Sequence, residues 1–267
     1  MLSQANDFYQ ESEYIYSILE NLSNNDFRKV TQFKSWTFNT IIRHLHVWNY
    51  ASYLSLEGED NWKKFREKLN FFFSKNKTLK DFEEDIVLPH IKDKELLMLW
   101  KEFYLKLTET FKFEEPKKRV KWVGPDMSVL SSISARHMET WAHGQAIFDI
   151  LGIERINHDR IYNIVIIGNN TFNWAFKINN KKIPSEPPYL KLYSPSGKVW
   201  EFNNSNNINK IEGNAEEFCQ VVTQVRNIKD VNLKLIGPIS NEWMQIAQCF
   251  AGKAQKPPKP GYRKIQK

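Results

Sequence analysis

The chain has 267 residues, 41% apolar and 26% charged, the balance of an ordinary globular protein able to bury one large core or two modest ones. No apolar run approaches the ~18 residues that cross a bilayer, and the opening MLSQANDFYQESE is polar and acidic rather than signal-like, so a cytoplasmic protein without a membrane anchor is expected. The net charge of +7 suggests nucleic acid, but six Lys/Arg and no acid fall within residues 253–267 and the rest of the excess is scattered, so nucleic acid is not an expected partner.

Residues 3–22 place Phe8, Ile15, Ile18 and Leu19 on a helical stripe beside many acids, which predicts a first helix. After a polar link, Thr37 is a suitable N-cap for FNTIIRHLHVWNYASYLSL, a second helix running to Gly58. Shorter helical pieces follow at 60–75 and 79–88, closing near Pro89, and DKELLMLWKEFYLKLTETF at 93–111 is a third long helix. Ser128 can cap SVLSSISARHMETWAHGQAIFDILG, a fourth long helix with Gly152 just past its end. Four long helices with connectors make a bundle.

Beyond residue 156 the texture changes. The stretch IYNIVIIGNNTFNWAFKIN is rich in β-branched and aromatic residues and is expected to begin the strands. YLKLYSPSGKVWEF reads as a hairpin turning at Ser194-Pro195-Ser196-Gly197. A helix at 214–225, a strand at VNLKLIG and a helix at 240–250 complete an α+β region. Cys219 and Cys249 read as reduced, structural thiols in buried helices, and the Pro/Lys-rich end as a mobile tail. The expected fold class is α+β in two domains, with a metal-binding bundle at 1–155, an α+β domain at 156–253 and the tail at 254–267.

The chemistry concentrates on the fourth long helix. Glu139 and His143 lie four apart, one turn above each other on a stripe with Ser132, Ala135, Arg136, Ala146, Ile147 and Ile150 that is mostly small and apolar. A carboxylate and an imidazole on a buried stripe need a shared reason, and a metal ion offsets the burial of their charge. The second helix offers His44 and His46, about 200° apart around the axis. His44 shares its face with Ile41, Trp48 and Ala51, whereas His46 sits with Asn39, Arg43 and Tyr53 on what reads as the wetter side. His44, Glu139 and His143 therefore form a two-histidine, one-carboxylate set with coordination positions left open, the mark of a catalytic site. Chance supplies many Glu-His pairs at this spacing, and a hydrogen-bonded core histidine is the alternative for His44.

Arg136, one turn before Glu139, is a candidate catalytic residue that could bind a substrate carboxylate bidentately, with a structural salt bridge as the competing role. Trp122, Met127 and Trp141 are candidate pocket walls or plain core. Gly144 implies close helix approach or room for a ligand. His90, His137 and His158 read as surface or supporting residues.

Four strings carry a wider resemblance: WTFNTIIRHLHVWN, WVGPDMSVLSSISARHMETWAHG, EFCQVVTQVRNIKDVNLKLIG and WMQIAQCFAGKAQKPPKPGYR. Through them the chain resembles, over nearly its whole length, metal-binding proteins related to mycothiol-dependent maleylpyruvate isomerase and to DinB-like bundles. The resemblance implies a DinB-like four-helix bundle followed by a small sterol-carrier-like α+β domain. It maps the family's metal-binding histidine and Glu-x-x-x-His pair onto His44, Glu139 and His143. The implied cofactors are a divalent metal, zinc first, and a low-molecular-weight thiol, and the implied partner is a small-molecule substrate for isomerisation or S-transfer. A water-activating binding or hydrolytic module, or a non-haem iron site, is the alternative class. Some relatives carry a label for wyosine formation in tRNA, which no radical-type Cys cluster or basic groove supports here.

Overall fold

The computed structural model describes residues 1–266. It is a mixed helix-and-sheet protein whose chain falls into two compact units, Met1–Ile150 and a second from Leu151 onward. Among the described residues no helix is long and apolar enough to cross a membrane.

The first unit is built on four long helices: α1 (Ser3–Leu19), α2 (Phe38–Glu57), α5 (Asp93–Lys112) and α6 (Val129–Leu151). Thr37 caps α2 by accepting from the Thr40 amide (3.2 Å), and Ser128 accepts from the Ser131 amide (3.1 Å) at the start of α6. Two shorter helices, α3 (Glu59–Ser74) and α4 (Leu79–Ile86), lie between α2 and α5, and α4 opens on a Thr78–Asp81 capping box. A two-residue antiparallel pair, β1 (Arg119–Val120) with β2 (Met127–Ser128), leads into α6. The core between the helices is aromatic, with Phe8, Phe38, Trp100, Tyr104, Phe111, Trp141 and Phe148 fully buried.

The second unit corrects the expectation of strands after residue 156. Residues 162–178 form two helices, α7 (Tyr162–Asn170) and α8 (Phe172–Ile178). The reason is spacing: Ile161, Ile164, Val165, Gly168, Phe172, Ala175 and Phe176 are all buried, recurring at three- and four-residue steps that outweigh the β-branched composition. A Cβ on Gly168 would meet Val222 Cγ2 at 2.9 Å, so α7 packs closely on the later helix that carries Val222.

The sheet has order β4-β3-β5-β6. The expected hairpin is β3 (Tyr189–Tyr193) with β4 (Val199–Phe202), paired antiparallel from Leu190↔Phe202 to Tyr193↔Val199. A strand that patterning did not anticipate, β5 (Lys210–Asn214), runs parallel to β3, and β6 (Lys234–Ile236) pairs antiparallel with β5. Helix α9 (Ala215–Val222) follows β5, and α10 (Pro238–Ile246) closes the order of elements. Because α10 ends at Ile246, Cys249 is buried in an extended segment rather than in a helix; Cys219 is buried within α9.

The basic end is not a free tail. Gln224 Nε2 donates to the Gln255 carbonyl (2.9 Å), Asn227 Nδ2 to the Pro258 carbonyl (2.8 Å) and Arg263 to the Gln224 carbonyl (2.7 Å). The Gly261 amide donates to Asp230 (2.7 Å), Pro258 is buried, and the Gln266 carbonyl passes where a Cβ on Gly152 (φ +68°) would sit. Backbone hydrogen bonding anchors this segment, which hydrophobic periodicity could not register.

Candidate metal centre

Helix α6 presents Glu139 and His143 on one face, and His143 Nε2 lies 3.1 Å from Glu139 Oε2. From α2, His44 Nε2 approaches the same oxygen at 3.8 Å. One ligand atom from each of the three residues lies within 4.8 Å of the others. A tetrahedral ion with bonds of about 2.0–2.1 Å separates neighbouring donors by roughly 3.3 Å, so the two measured edges bracket that spacing. The donor set of two imidazoles and a carboxylate suits zinc or another first-row divalent ion. The side chains of His44, His143 and Glu139 are 11%, 10% and 20% exposed, so the cluster opens to solvent on the carboxylate side.

A fourth residue, absent from the sequence reading, fixes His44. Glu83 on α4 is 1% exposed, and its Oε1 accepts from His44 Nδ1 (2.7 Å) and from Trp48 Nε1 (3.0 Å). With Nδ1 held this way, Nε2 is the free nitrogen and points at Glu139. A carboxylate behind a ligating histidine sets its tautomer and raises its basicity. The signal was present in sequence: Leu79, Phe82, Glu83 and Ile86 recur at i, i+3, i+4 and i+7, which puts Glu83 on the apolar stripe of its helix.

Electrostatics follow from this arrangement. Burial opposes the charged form of His44, but Glu83 and Glu139 outweigh it and raise its pKa to about 9. Burial also works against ionised Glu139, yet the hydrogen bonds from His143 and His44 hold its carboxyl well below the usual range. Burial lowers the pKa of His143. Without a cation, the cluster thus carries a proton on His44, and binding a metal ion must release it.

Aromatic side chains enclose the cluster. Trp36 stacks on the His143 ring (5.5 Å, 9°) and Phe33 meets it edge-on (4.9 Å). Both come from the turn before α2, in which Lys34 (φ 50°) and Ser35 (φ 57°) hold left-handed conformations. Two such non-glycine residues cost on the order of 1–3 kcal/mol each, a strain found mostly at functional sites. Past His44, Trp48 meets Trp122 (5.7 Å), and Trp122 stacks on Trp62 (5.6 Å, 14°).

Other sequence expectations divide. Arg136 is 4% exposed with its guanidinium 5.0 Å over the Trp122 ring; burial lowers its pKa while Glu139 opposes that effect. The expected wet face of α2 is buried instead. Arg43 donates to the carbonyls of Val87 (3.1 Å) and Ile91 (2.8 Å), and His46 packs edge-on against Phe103 (5.2 Å), because α4 and α5 cover that side. His137 is fully buried, 3.8 Å from Glu11 on α1, so of its two readings, surface or supporting residue, the surface one is excluded. His90 and His158 are exposed. Trp122 and Trp141 are buried, while Met127 is only partly so.

The family model for the mycothiol maleylpyruvate isomerase N-terminal domain matches residues 8–148, which contain every residue of this cluster. The chain belongs to that family. Two uncharacterized proteins of Mycobacterium tuberculosis, from strains CDC 1551 and H37Rv, are each 36% identical to this chain over 165 residues, which make up 62% of it. The chain spans 64% of the length of those relatives. Crystal structures of the mycothiol-dependent maleylpyruvate isomerase and of a histidine-to-alanine mutant of it superpose with a TM-score of 0.52 at 11% identity. They cover 82% of this chain and 87% of theirs, a likeness of fold.

Proposed function

We propose that the chain binds one divalent metal ion, zinc in the first instance, through His44, Glu139 and His143, and acts with a low-molecular-weight thiol on a small electrophilic substrate as an isomerase or S-transferase. The carrying observation is the Glu83–His44 bond at 2.7 Å, which leaves both His44 Nε2 and His143 Nε2 converging on Glu139 Oε2. A core histidine kept only for packing does not need a buried carboxylate to aim its second nitrogen at another carboxylate. A divalent ion held there would supply a Lewis acid that favours the deprotonated form of a thiol near neutral pH.

The protein's own residues bind and orient. Glu83 holds the His44 tautomer, Glu139 offsets cationic charge, and Phe33 and Trp36 shield one side of His143 from water. Among the described residues the first unit contains no cysteine, and Cys219 and Cys249 are both buried within the second. The nucleophile therefore comes from outside, and the family's name, with that of its crystallised member, supports a thiol in that role.

Cobalt substitution tests the reading. A small thiol bound at the cobalt-loaded centre gives a sulfur-to-cobalt charge-transfer band, and the band is absent in Glu139→Ala and His143→Ala. If glutathione, bacillithiol, mycothiol and coenzyme A all leave the spectrum of cobalt-loaded protein unchanged, the thiol role gives way to a water-activating site.

A further inference from the structure

A buried guanidinium needs acceptors, and this bundle contains one arginine that has them and one that does not. Arg43 places its donors on the main-chain carbonyls of Val87 and Ile91, as a structural arginine does. Arg136 is equally buried at 4% exposure, yet its Nε has no partner, and among the described residues it makes no hydrogen bond or ion pair. Its guanidinium lies over the face of Trp122, 5.0 Å from the ring centroid. Glu139, one turn along α6, acts on it only through space. The salt bridge that would have made Arg136 a structural residue is thus missing. A buried Nε–H without an acceptor is costly, and the planar guanidinium fork matches a carboxylate bidentately.

We propose that Arg136 is the receptor for the carboxylate of a small organic acid, which it holds beside the His44–Glu139–His143 centre. The proposal takes its position from the metal reading above, but binding of the acid to Arg136 does not depend on it. The ring of Trp122 covers one face of the guanidinium, leaving its N–H edges to engage an anion in plane. A carboxylate supplies the one negative charge that Arg136 lacks, whereas a phosphate dianion would add a second beside Glu139 and Glu83.

The experiment titrates benzoate and pyruvate, with benzamide as the neutral control, into zinc-loaded and zinc-stripped full-length protein by calorimetry. Wild type binds the acids and not the amide. Arg136→Met weakens acid binding on the order of tenfold or more, and Arg136→Lys, which keeps charge without the fork, falls between. Zinc content stays at the wild-type level in both variants. Arg136→Met also melts no lower than wild type without ligand, because no internal acceptor loses its partner. Unchanged acid binding in Arg136→Met, or a marked loss of its melting temperature with Arg136→Lys restoring it, overturns the proposal. Protein that binds zinc but ignores both acids overturns Arg136 alone and leaves the metal centre standing. Protein that holds no zinc yet binds benzoate through Arg136 supports this proposal and removes the metal.

Discussion

Replacing Glu83 by glutamine isolates the support behind His44. The substitution keeps volume, and an amide oxygen can still accept from His44 Nδ1 and Trp48 Nε1, the two donors now within 2.7 and 3.0 Å of Glu83 Oε1. What disappears is the negative charge that, after the opposing effect of burial, does most to raise the His44 pKa. Loss of such a partner weakens metal binding by about 10–100-fold, equivalent to about 1.4–2.7 kcal/mol. Glu83→Ala does more, because it strands two buried N–H groups at about 1–3 kcal/mol each and so destabilises even the metal-free fold. Chelator competition for zinc near neutral pH measures the first effect and denaturant unfolding of zinc-free protein the second. Wild-type zinc affinity in Glu83→Gln would refute the argument that the Glu83 charge strengthens His44 as a ligand, and a lowered melting temperature of Glu83→Ala with unchanged affinity would reduce Glu83 to a prop for α4.

Three further outcomes are expected. His44→Ala, Glu139→Ala and His143→Ala each remove most of the bound metal by elemental analysis, whereas His46→Ala, whose ring packs on Phe103, retains it. Burial depresses the His46 pKa from 6.5 to about 4; between those values the unfolded chain takes up a proton that the folded one refuses. Stability is therefore lost as pH falls through that window, by up to about 3 kcal/mol, and His46→Leu flattens this part of the urea-unfolding profile of zinc-free protein. Truncation after Lys253 removes the partners of Gln224, Asn227 and Asp230 described above. At about 0.5–1.5 kcal/mol per hydrogen bond, it lowers the melting temperature by several degrees, and an unchanged value would mean that the segment contributes nothing.

What sequence disclosed depended on whether a signal lay within one element or between two. The helices of the first unit were legible because caps and apolar stripes are local: Thr37, the stripe through Phe8 and Ile15, and the run to Leu151 all stand where patterning puts them. Residues 161–176 misled because two local signals conflicted there, β-branched composition against helical spacing, and the spacing won once Gly168 allowed α7 to lie close to α9. Strand β5 carries a Gly at position 213 and few apolar residues, and it exists through its pairing with β3 and β6. The terminal segment is held by side-chain amides reaching main-chain carbonyls, contacts that no periodicity announces.

The same division explains the candidate centre. The 3- and 4-residue steps from Arg136 to Glu139 to His143 are a property of α6 alone, so their shared face could be read directly. The choice of His44 over His46 also followed from its companions on α2, although the reason offered was incomplete. His46 is no wetter than His44, at 6% against 9% exposure, because α5 covers its face with Phe103. What separates the two histidines is the neighbour each meets: His44 finds Glu83 and Glu139, His46 finds a phenyl ring. Burial therefore does not separate the two histidines of α2; the carboxylates that meet both nitrogens of His44 do. His137, on the same helix as Glu139 and His143, is buried against Glu11 at 3.8 Å and lies outside the His44–Glu139–His143 group, so it reads as a core residue: what His143 has and His137 lacks is an Nε2 that meets the same Glu139 oxygen as His44.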